Sequence, residues 1–146
     1  MSKEKPTRCI ALSGGVGGAK LVLGLSHVLE PDAMTVVANT GDDFEHLGLT
    51  ICPDLDTVMY TLADLSNRDL GWGQEGETCA VLDALQALGG ETWFKLGDRD
   101  LATHIERTRR MGMGMTLSAV TAALCECLGV RHPLLPMSDN PIRTMV

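Results

Sequence analysis

The amino-acid sequence predicts an α/β protein with a Rossmann-like, three-layer αβα architecture and a mainly parallel sheet. Two short apolar stretches, at 8–12 and 34–38, have the composition of buried parallel strands. A helical stretch at about 18–30 lies between them, and a strand, a helix and a strand in that order form a right-handed βαβ unit. Four glycines within 14–18 join the first strand to the helix, as in folds that hold an anion at a helix start.

Composition limits the class of protein. The chain has 146 residues, which suits one domain with its own core, and it is 45% hydrophobic but only 3% aromatic. A net charge of −7 argues against a nucleic-acid partner. No apolar run reaches the ~18 residues that span a bilayer, and residues 1–8 lack the apolar region of a signal peptide, so we expect a cytoplasmic protein without a membrane partner. The five cysteines form no Cys-x-x-Cys pair, which favours buried, reduced thiols.

The rest of the chain alternates helices with loops. Apolar spacing and capping residues predict the following segments: a short edge piece at 50–52, a helix from Asp56 or Thr57 as cap to about 63, an irregular stretch at 66–76, a helix at 78–88, a third strand at 93–96, a helix at 99–111 capped by Asp98, and a helix at 117–128 capped by Thr116. An apolar segment and a polar turn at 134–141 resemble an interrupted αβ unit. We therefore expect a single domain over 1–146 that is the front part of a larger one, truncated on its C-terminal side.

The glycine turn predicts a phosphate cradle. Its glycines let the backbone approach a bulky anion while the N–H groups of the helix start point at it. The turn is not a dinucleotide fingerprint, because Lys20 stands where that pattern has Gly or Ala, and it is not a Walker loop, because Leu21 follows the lysine. A tight turn without a ligand is the alternative. The substrate-binding residues predicted here are Gly14, Gly15, Val16, Gly17, Gly18 and Lys20.

Two acidic clusters follow the turn, at 41–43 and 53–56. Carboxylates are the hard oxygen donors that Mg²⁺ takes together with substrate phosphates, so the prediction includes a magnesium ion. The metal ligands predicted are Asp42, Asp54 and Asp56, and the catalytic residues predicted are Asp42, Asp43 and Asp56. The alternative is structural, with Gly41 to Asp43 forming a turn and Asp56 capping a helix.

Each predicted strand ends at a candidate group. In open parallel sheets, ligands bind outside the carboxyl ends of the strands, where the glycine turn, Asn39 and the stretch from Lys95 to Arg99 would converge. Asn39, Lys95, Asp98 and Arg99 are accordingly predicted to bind substrate. For Lys95 the alternative is a solvated side chain, and for 98–100 a structural ion-pair turn. The arginines at 107, 109 and 110 are predicted to form a solvated face.

Five motifs in order carry a family resemblance: Ser13-Gly-Gly-Val-Gly-Gly-Ala-Lys-Leu21, Asn39-Thr-Gly-Asp-Asp43, Cys52-Pro-Asp-Leu-Asp-Thr57, Lys95-Leu-Gly-Asp-Arg-Asp-Leu-Ala-Thr-His104 and Leu135-Pro-Met-Ser-Asp139. Together they closely resemble the 2-phospho-L-lactate transferases of coenzyme F420 biosynthesis. The resemblance implies transfer of a phospholactyl or phosphoenolpyruvyl group from a guanosine diphospho-donor to a ribityl hydroxyl of the deazaflavin Fo, with Mg²⁺ as cofactor and release of GMP. It further implies a homodimer in which Asp56 and Lys95 contact the deazaflavin.

Two other readings remain open from the sequence. A related family of non-catalytic nucleotide-sugar-binding regulators shares a glycine turn and an acidic second motif, although the motifs at 53–56 and 95–98 favour the transferases. An NAD-dependent module is the weaker alternative, because of Lys20. The resemblance also predicts a missing half, which in the family carries a Ser-Asn-Pro segment associated with the guanosine end of the donor.

Overall fold

The computed structural model describes residues 8–144 of the chain. In chain order its elements are β1 (Cys9–Ser13), α1 (Gly15–Ser26), a 3-10 turn (Pro31–Ala33), β2 (Met34–Ala38), β3 (Phe44–His46), β4 (Leu49–Ile51), α2 (Pro53–Leu62), α3 (Ala80–Ala87), α4 (Asp98–Gly112), α5 (Leu117–Cys127) and β5 (Leu134–Pro136). Among these residues no helix combines the length and the apolar character needed to cross a bilayer.

A parallel three-stranded sheet of order β1-β2-β5 organises the fold. Cys9 pairs with Met34 at one end of the register, and Ala38 pairs with Pro136 at the other. The helix α1 connects β1 to β2, so the predicted βαβ unit and the α/β, three-layer αβα-like class with a parallel sheet are confirmed. Side chains alternate between the two faces of a strand, and the face that carries Ala11, Val36 and Leu134 is buried.

Three helices supply the core on that face. Val22 of α1, Val58 of α2 and Val120 of α5 are each fully buried and belong to one cluster with the inward residues of the sheet. On the opposite face Ile10 and Leu12 are 71% and 77% exposed. The core therefore lies between the sheet and α1, α2 and α5, and it fixes the carboxyl ends of the strands next to the start of α2.

The third strand was predicted in the wrong place. The stretch at 93–96 is irregular, and β5 completes the sheet instead. Trp93 and Phe94 both face Phe44, with ring centroids 6.0 and 5.0 Å away. Consecutive side chains on one side cannot alternate as a strand requires, so this aromatic cluster replaces strand pairing. The edge piece at 50–52 is β4, one residue earlier, and it pairs with the unpredicted β3 in a separate antiparallel hairpin.

Several helix starts also differ from the prediction. α1 begins at Gly15 and ends at Ser26, so part of the glycine turn is the first turn of the helix. α2 begins at Pro53, a residue favoured at the first helical position, so neither Asp56 nor Thr57 is its cap. α4 has Gly97 at its N-cap position, which removes the cap predicted at Asp98. The Thr116 cap of α5 is confirmed, since its side chain accepts a hydrogen bond from the Ala119 N–H. The cysteines are all free thiols, as expected, but only Cys52 and Cys125 are buried, and the predicted burial is wrong at the exposed Cys127.

Candidate functional site

One buried carboxylate joins three loops at the carboxyl edge of the sheet. Asp54 lies in the first turn of α2 and is 8% exposed. Its Oδ1 accepts a hydrogen bond from the Gly15 N–H at 2.8 Å, and its Oδ2 accepts one from the Asn39 side-chain amide at 2.9 Å. The glycine turn, the loop after β2 and the start of α2 therefore meet at Asp54.

Asn39 organises the acidic loop after β2. Its side-chain oxygen accepts from the Gly41 N–H at 2.9 Å, and its amide also donates to Asp42 Oδ2 at 3.2 Å. The Asn39 N–H in turn donates to the Ser13 carbonyl at the end of β1. Asp42 is exposed, and Asp43 is half-buried. The loop thus presents two carboxylates beside Asp54, and the binding of phosphate or metal at this edge stays a prediction.

Three polar atoms at this edge are buried and have no hydrogen-bond partner within residues 8–144: Ser13 Oγ, Thr40 Oγ1 and Asp43 Oδ1. Burial raises the pKa of Asp43 to about 6, and this effect outweighs the Cys52 hydrogen bond and the positive charge of Arg107. Buried polar atoms without partners cost free energy unless a water, an ion or a ligand satisfies them. The carboxyl edge of the sheet is therefore suited to bind a polar ligand.

The glycines of the turn have different roles. A Cβ at Gly18 would lie 2.5 Å from Ser13 Oγ and 3.1 Å from Ser13 Cα, so only glycine lets α1 pack this closely on β1. A Cβ at Gly17 would meet nothing within 4 Å, and that residue is exposed. Lys20 is also exposed and lines a cavity with Val16 on the side of α1, apart from Asp54. The structure thus joins the turn, but not the lysine, to the acidic cluster.

Asp56 has a different environment from Asp54. It is 4% exposed, and its carboxylate accepts hydrogen bonds from both terminal nitrogens of Arg107, with Nη1 3.1 Å from Oδ2. Arg107 is itself only 1% exposed, so the predicted solvated arginine face is wrong at this position. Burial would lower the pKa of Arg107, but the charge of Asp56 more than offsets this and the pKa is raised. The other two arginines of the predicted face, Arg109 and Arg110, do lie nearer the surface and pair with Glu106.

The pair of Asp56 and Arg107 extends into a cluster that the sequence analysis missed. His104 Nδ1 lies 3.2 Å from Arg107 Nη1 and 3.6 Å from Asp56 Oδ2. The other ring nitrogen of His104, Nε2, lies 3.4 Å from Asp100 Oδ2. The Tyr60 hydroxyl donates to Asp100 Oδ1 at 2.7 Å. The signal was available, because spacings of four and three place 100, 104 and 107 on one helix face.

Lys95 lies at a cleft beside this cluster. It lines a cavity of about 320 Å³ together with Trp72, Glu77 and Asp100. An adjoining cavity of about 160 Å³ is lined by Asp56, Phe94 and again Trp72 and Asp100. Asp56 and Lys95 thus reach neighbouring cavities that share Trp72 and Asp100.

Asp98 and Arg99 hold loops together around the cleft. Asp98 accepts from the backbone N–H groups of Ala80 and Val81 and from the Thr78 hydroxyl, so it caps α3 from outside. Arg99 Nη1 donates a hydrogen bond to the Glu75 carbonyl at 2.9 Å. These contacts are structural, but they are hydrogen bonds to backbone and hydroxyl groups rather than the ion pairs of the alternative considered for 98–100, and substrate binding by either residue stays a prediction.

The stretch at 66–76 connects the two regions. Gly71 has φ +77°, and a Cβ there would lie 2.9 Å from Val16 Cγ1 in the glycine turn. Trp72 and Gly73, the next residues, line the cleft of Lys95. Adjacent residues of this irregular segment therefore contact the glycine turn and line the cleft.

Comparison with known proteins identifies relatives of the chain. A family model described as 2-phospho-L-lactate transferase CofD matches residues 9–146. Proteins named phosphoenolpyruvate transferase are 52% identical in Streptomyces griseus and 47% identical in Thermobifida fusca, and each match covers 95% of this chain. The matches cover 44% and 46% of those proteins, so the chain spans just under half their length. A solved structure from Bacillus halodurans, a member of the UPF0052 family, has the same fold with a TM-score of 0.56 at 17% identity, over 94% of this chain and 41% of that one.

Proposed function

The chain belongs to the 2-phospho-L-lactate transferase family, and from this premise we propose that its protein transfers a three-carbon phosphoryl-linked group in coenzyme F420 biosynthesis. The donor is a guanosine diphospho-compound, the acceptor is a ribityl hydroxyl of the deazaflavin Fo, and GMP leaves. The names of the relatives favour phosphoenolpyruvyl over 2-phospholactyl as the transferred group. The protein acts in the cytoplasm as a homodimer, without a nucleic-acid or membrane partner.

The observation that carries the proposal is the Asp54 junction. By accepting from the Gly15 N–H and the Asn39 amide, Asp54 fixes the glycine turn against the acidic loop. The remaining N–H groups at the start of α1 then face the same edge as Asp42 and Asp43, and a helix start favours a bound phosphate. Phosphoryl transfer requires positioning and charge stabilisation without a covalent intermediate, which suits such a site.

The acidic loop fits a magnesium ion. Asp43 Oδ1 is buried without a partner, and both oxygens of Asp54 keep a free lone pair beyond the hydrogen bonds they accept. Asp42, Asp43 and Asp54 would hold the ion, which would neutralise the diphosphate and stabilise the leaving phosphate. Asp56 fits this role less well than the sequence suggested, because the guanidinium of Arg107 already neutralises its carboxylate.

The acceptor would lie in the cleft of Lys95. The ammonium group of Lys95 is exposed at the mouth of that cleft and would contact an oxygen of the deazaflavin. Asp56 would contribute through the wall of the adjoining cavity rather than as a free carboxylate. An aspartate of the acidic loop near the ribityl hydroxyl would act as general base.

The test is GMP release and thermal melting of the full-length protein with Fo, donor and Mg²⁺. Asp54→Ala should abolish donor-dependent GMP release, because it frees the glycine turn from the acidic loop, while Asp32→Ala, an exposed acid at the other end of β2, should behave as the parent. Lys95→Ala should weaken the melting shift that Fo causes, and Lys95→Arg should retain most of it. A parent protein whose melting responds to a nucleotide-sugar and not to Fo would refute the proposal.

A further inference from the structure

We infer that His104 is a positioning residue that holds the Asp100 carboxylate toward the cleft of Lys95, where Asp100 accepts a hydrogen bond from a hydroxyl or N–H group of the acceptor. The inference rests on the proposed function, because the acceptor is the molecule expected in that cleft. Burying charged groups costs desolvation free energy, and a role in ligand binding accounts for the buried polar cluster around α4.

The hydrogen-bond partners of His104 indicate one tautomer of its ring. Arg107 Nη1 lies 3.2 Å from His104 Nδ1. Because a guanidinium can only donate hydrogen bonds, Nδ1 is the accepting nitrogen of the ring. The proton of the neutral ring is then on Nε2, which faces Asp100 Oδ2 at 3.4 Å and makes no full hydrogen bond with any of residues 8–144. Because the His104 side chain is only 2% exposed, Asp100 is the acceptor toward which this N–H is directed.

Asp100 is held as an ionised acceptor at the cleft. The Tyr60 hydroxyl donates to Oδ1 at 2.7 Å, and the position of Asp100 in the first turn of α4 favours a negative charge. Burial alone would raise the pKa of Asp100, but the adjacent His104 ring, the Tyr60 hydroxyl and the positive charge of Arg107 outweigh it and the pKa is lowered. The side chain keeps 13% exposure, and each carboxylate oxygen has a lone pair left for a ligand.

The walls of the cleft indicate the kind of ligand. Asp100 lines both adjoining cavities, and Trp72 lines both as well and is 43% exposed. Phe94 closes the smaller cavity and Lys95 the larger one. A flat heteroaromatic ring that carries a hydroxyl or N–H group would stack on Trp72 and donate to Asp100.

A metal ion is the competing occupant of this cluster. Asp56, Asp100 and His104 offer ligand atoms that all lie within 4.8 Å of one another, a donor set that Zn²⁺ accepts. Arg107 already contacts both Asp56 and His104, so a metal ion there would meet the positive charge of the guanidinium. The geometry therefore favours a chain of hydrogen bonds, and bound zinc is an outcome that the experiment must be able to detect.

The first experiment reads the tautomer and needs no ligand. In the full-length protein labelled with ¹⁵N-histidine, the ring signals of His104 are identified by their loss in His104→Gln and recorded at about pH 8. We expect a neutral ring with its proton on Nε2 and no stoichiometric zinc by elemental analysis. A ring protonated on Nδ1, or one equivalent of zinc that His104→Leu removes, would overturn the inference.

The second experiment separates positioning from stability by kinetics. Asp100→Asn and His104→Leu should raise the KM for Fo about tenfold or more, the effect of losing a hydrogen bond to a charged group, and leave the KM for the donor within about twofold. His104→Gln, whose amide can accept from Arg107 and donate to Asp100, should stay within about threefold of the parent. His132→Leu removes another buried histidine, bonded to the Leu29 carbonyl, and should leave both KM values unchanged.

A structural role alone predicts a different pattern. Loss of folded protein would lower the apparent kcat of His104→Leu and His104→Gln alike, with the KM for Fo unchanged, and that result would overturn the inference. A parent that transfers nothing to Fo would refute the proposed function before any variant is made, and the binding role of Asp100 would fall with it. An active parent with an unaltered KM in Asp100→Asn would refute the inference alone.

Discussion

Replacing Arg107 with methionine should destabilise the protein more than any surface substitution. Arg107 and Asp56 are 1% and 4% exposed, and the guanidinium contacts both carboxylate oxygens. His104 Nδ1 lies 3.6 Å from Asp56 Oδ2, a distance longer than a hydrogen bond. The substitution would therefore leave a buried carboxylate without a donor, which costs about 3–5 kcal/mol in comparable buried pairs.

Equilibrium urea unfolding of the full-length protein measures this cost. The double variant Asp56→Leu and Arg107→Met, which removes both charges, should recover at least half of the loss, since an apolar pair of similar volume is often as stable as a buried ion pair. Arg109→Met is the control: Arg109 pairs with Glu106 at the surface with 56% of its side chain exposed, so its loss should cost less than about 1 kcal/mol. A cost below about 1 kcal/mol for Arg107→Met, or a double variant no more stable than the single one, would contradict a buried ionic pair.

Three further predictions follow from local geometry. Gly18→Ala should lower the free energy of unfolding, measured with urea, by about 1–3 kcal/mol because its Cβ would overlap Ser13. Its control is Gly17→Ala, whose Cβ meets open space; in the same assay the free energy of unfolding should be unchanged or higher by up to about 1 kcal/mol. In metal-free protein, the pKa of Asp43 is raised from 3.8 to about 6, so the folded state binds the proton more tightly; the free energy of unfolding should fall as pH rises through that interval, and unfolding of Asp43→Asn at several pH values should lack that fall. Thr116→Ala removes the cap of α5 and should cost about 1 kcal/mol in the same assay, and an unchanged midpoint would show that the cap contributes nothing.

Local sequence patterns were sufficient for the parts of the fold in which short-range rules decide. The strand β2 and the Thr116 cap were predicted at the residues where they occur, because a continuous apolar run and a capping threonine act through their own neighbours. The acidic loop was likewise placed beside the glycine turn by the rule that ligands bind at the carboxyl ends of parallel strands. The junction itself could not be predicted from local patterns, because the hydrogen bond from Gly15 to Asp54 joins residues that are 39 positions apart.

Long-range packing explains the errors. The stretch at 93–96 has the composition of a strand, but Trp93 and Phe94 lie against Phe44 instead of pairing in the sheet. Arg107 looked solvated because its neighbours are charged, yet its partner Asp56 lies 51 positions earlier in the chain. In both cases a distant partner decided the outcome, and the local pattern alone had no information about that partner.

The Pro53-Asp54-Leu55-Asp56 motif links the two halves of the proposed reaction. Residues two apart on a helix point about 200° away from each other, and the two aspartates do face different partners. Asp54 binds the glycine turn and the acidic loop, the proposed site of a phosphate and a cation, while Asp56 anchors Arg107 and, through it, His104 behind the cleft proposed for the acceptor. Because both side chains belong to the first turn of one helix, backbone geometry rather than loop closure would fix the separation between the proposed donor and acceptor sites. A helix start that is rigid in this way would hold the attacking hydroxyl at a constant distance from the phosphate, which is the positioning that phosphoryl transfer depends on.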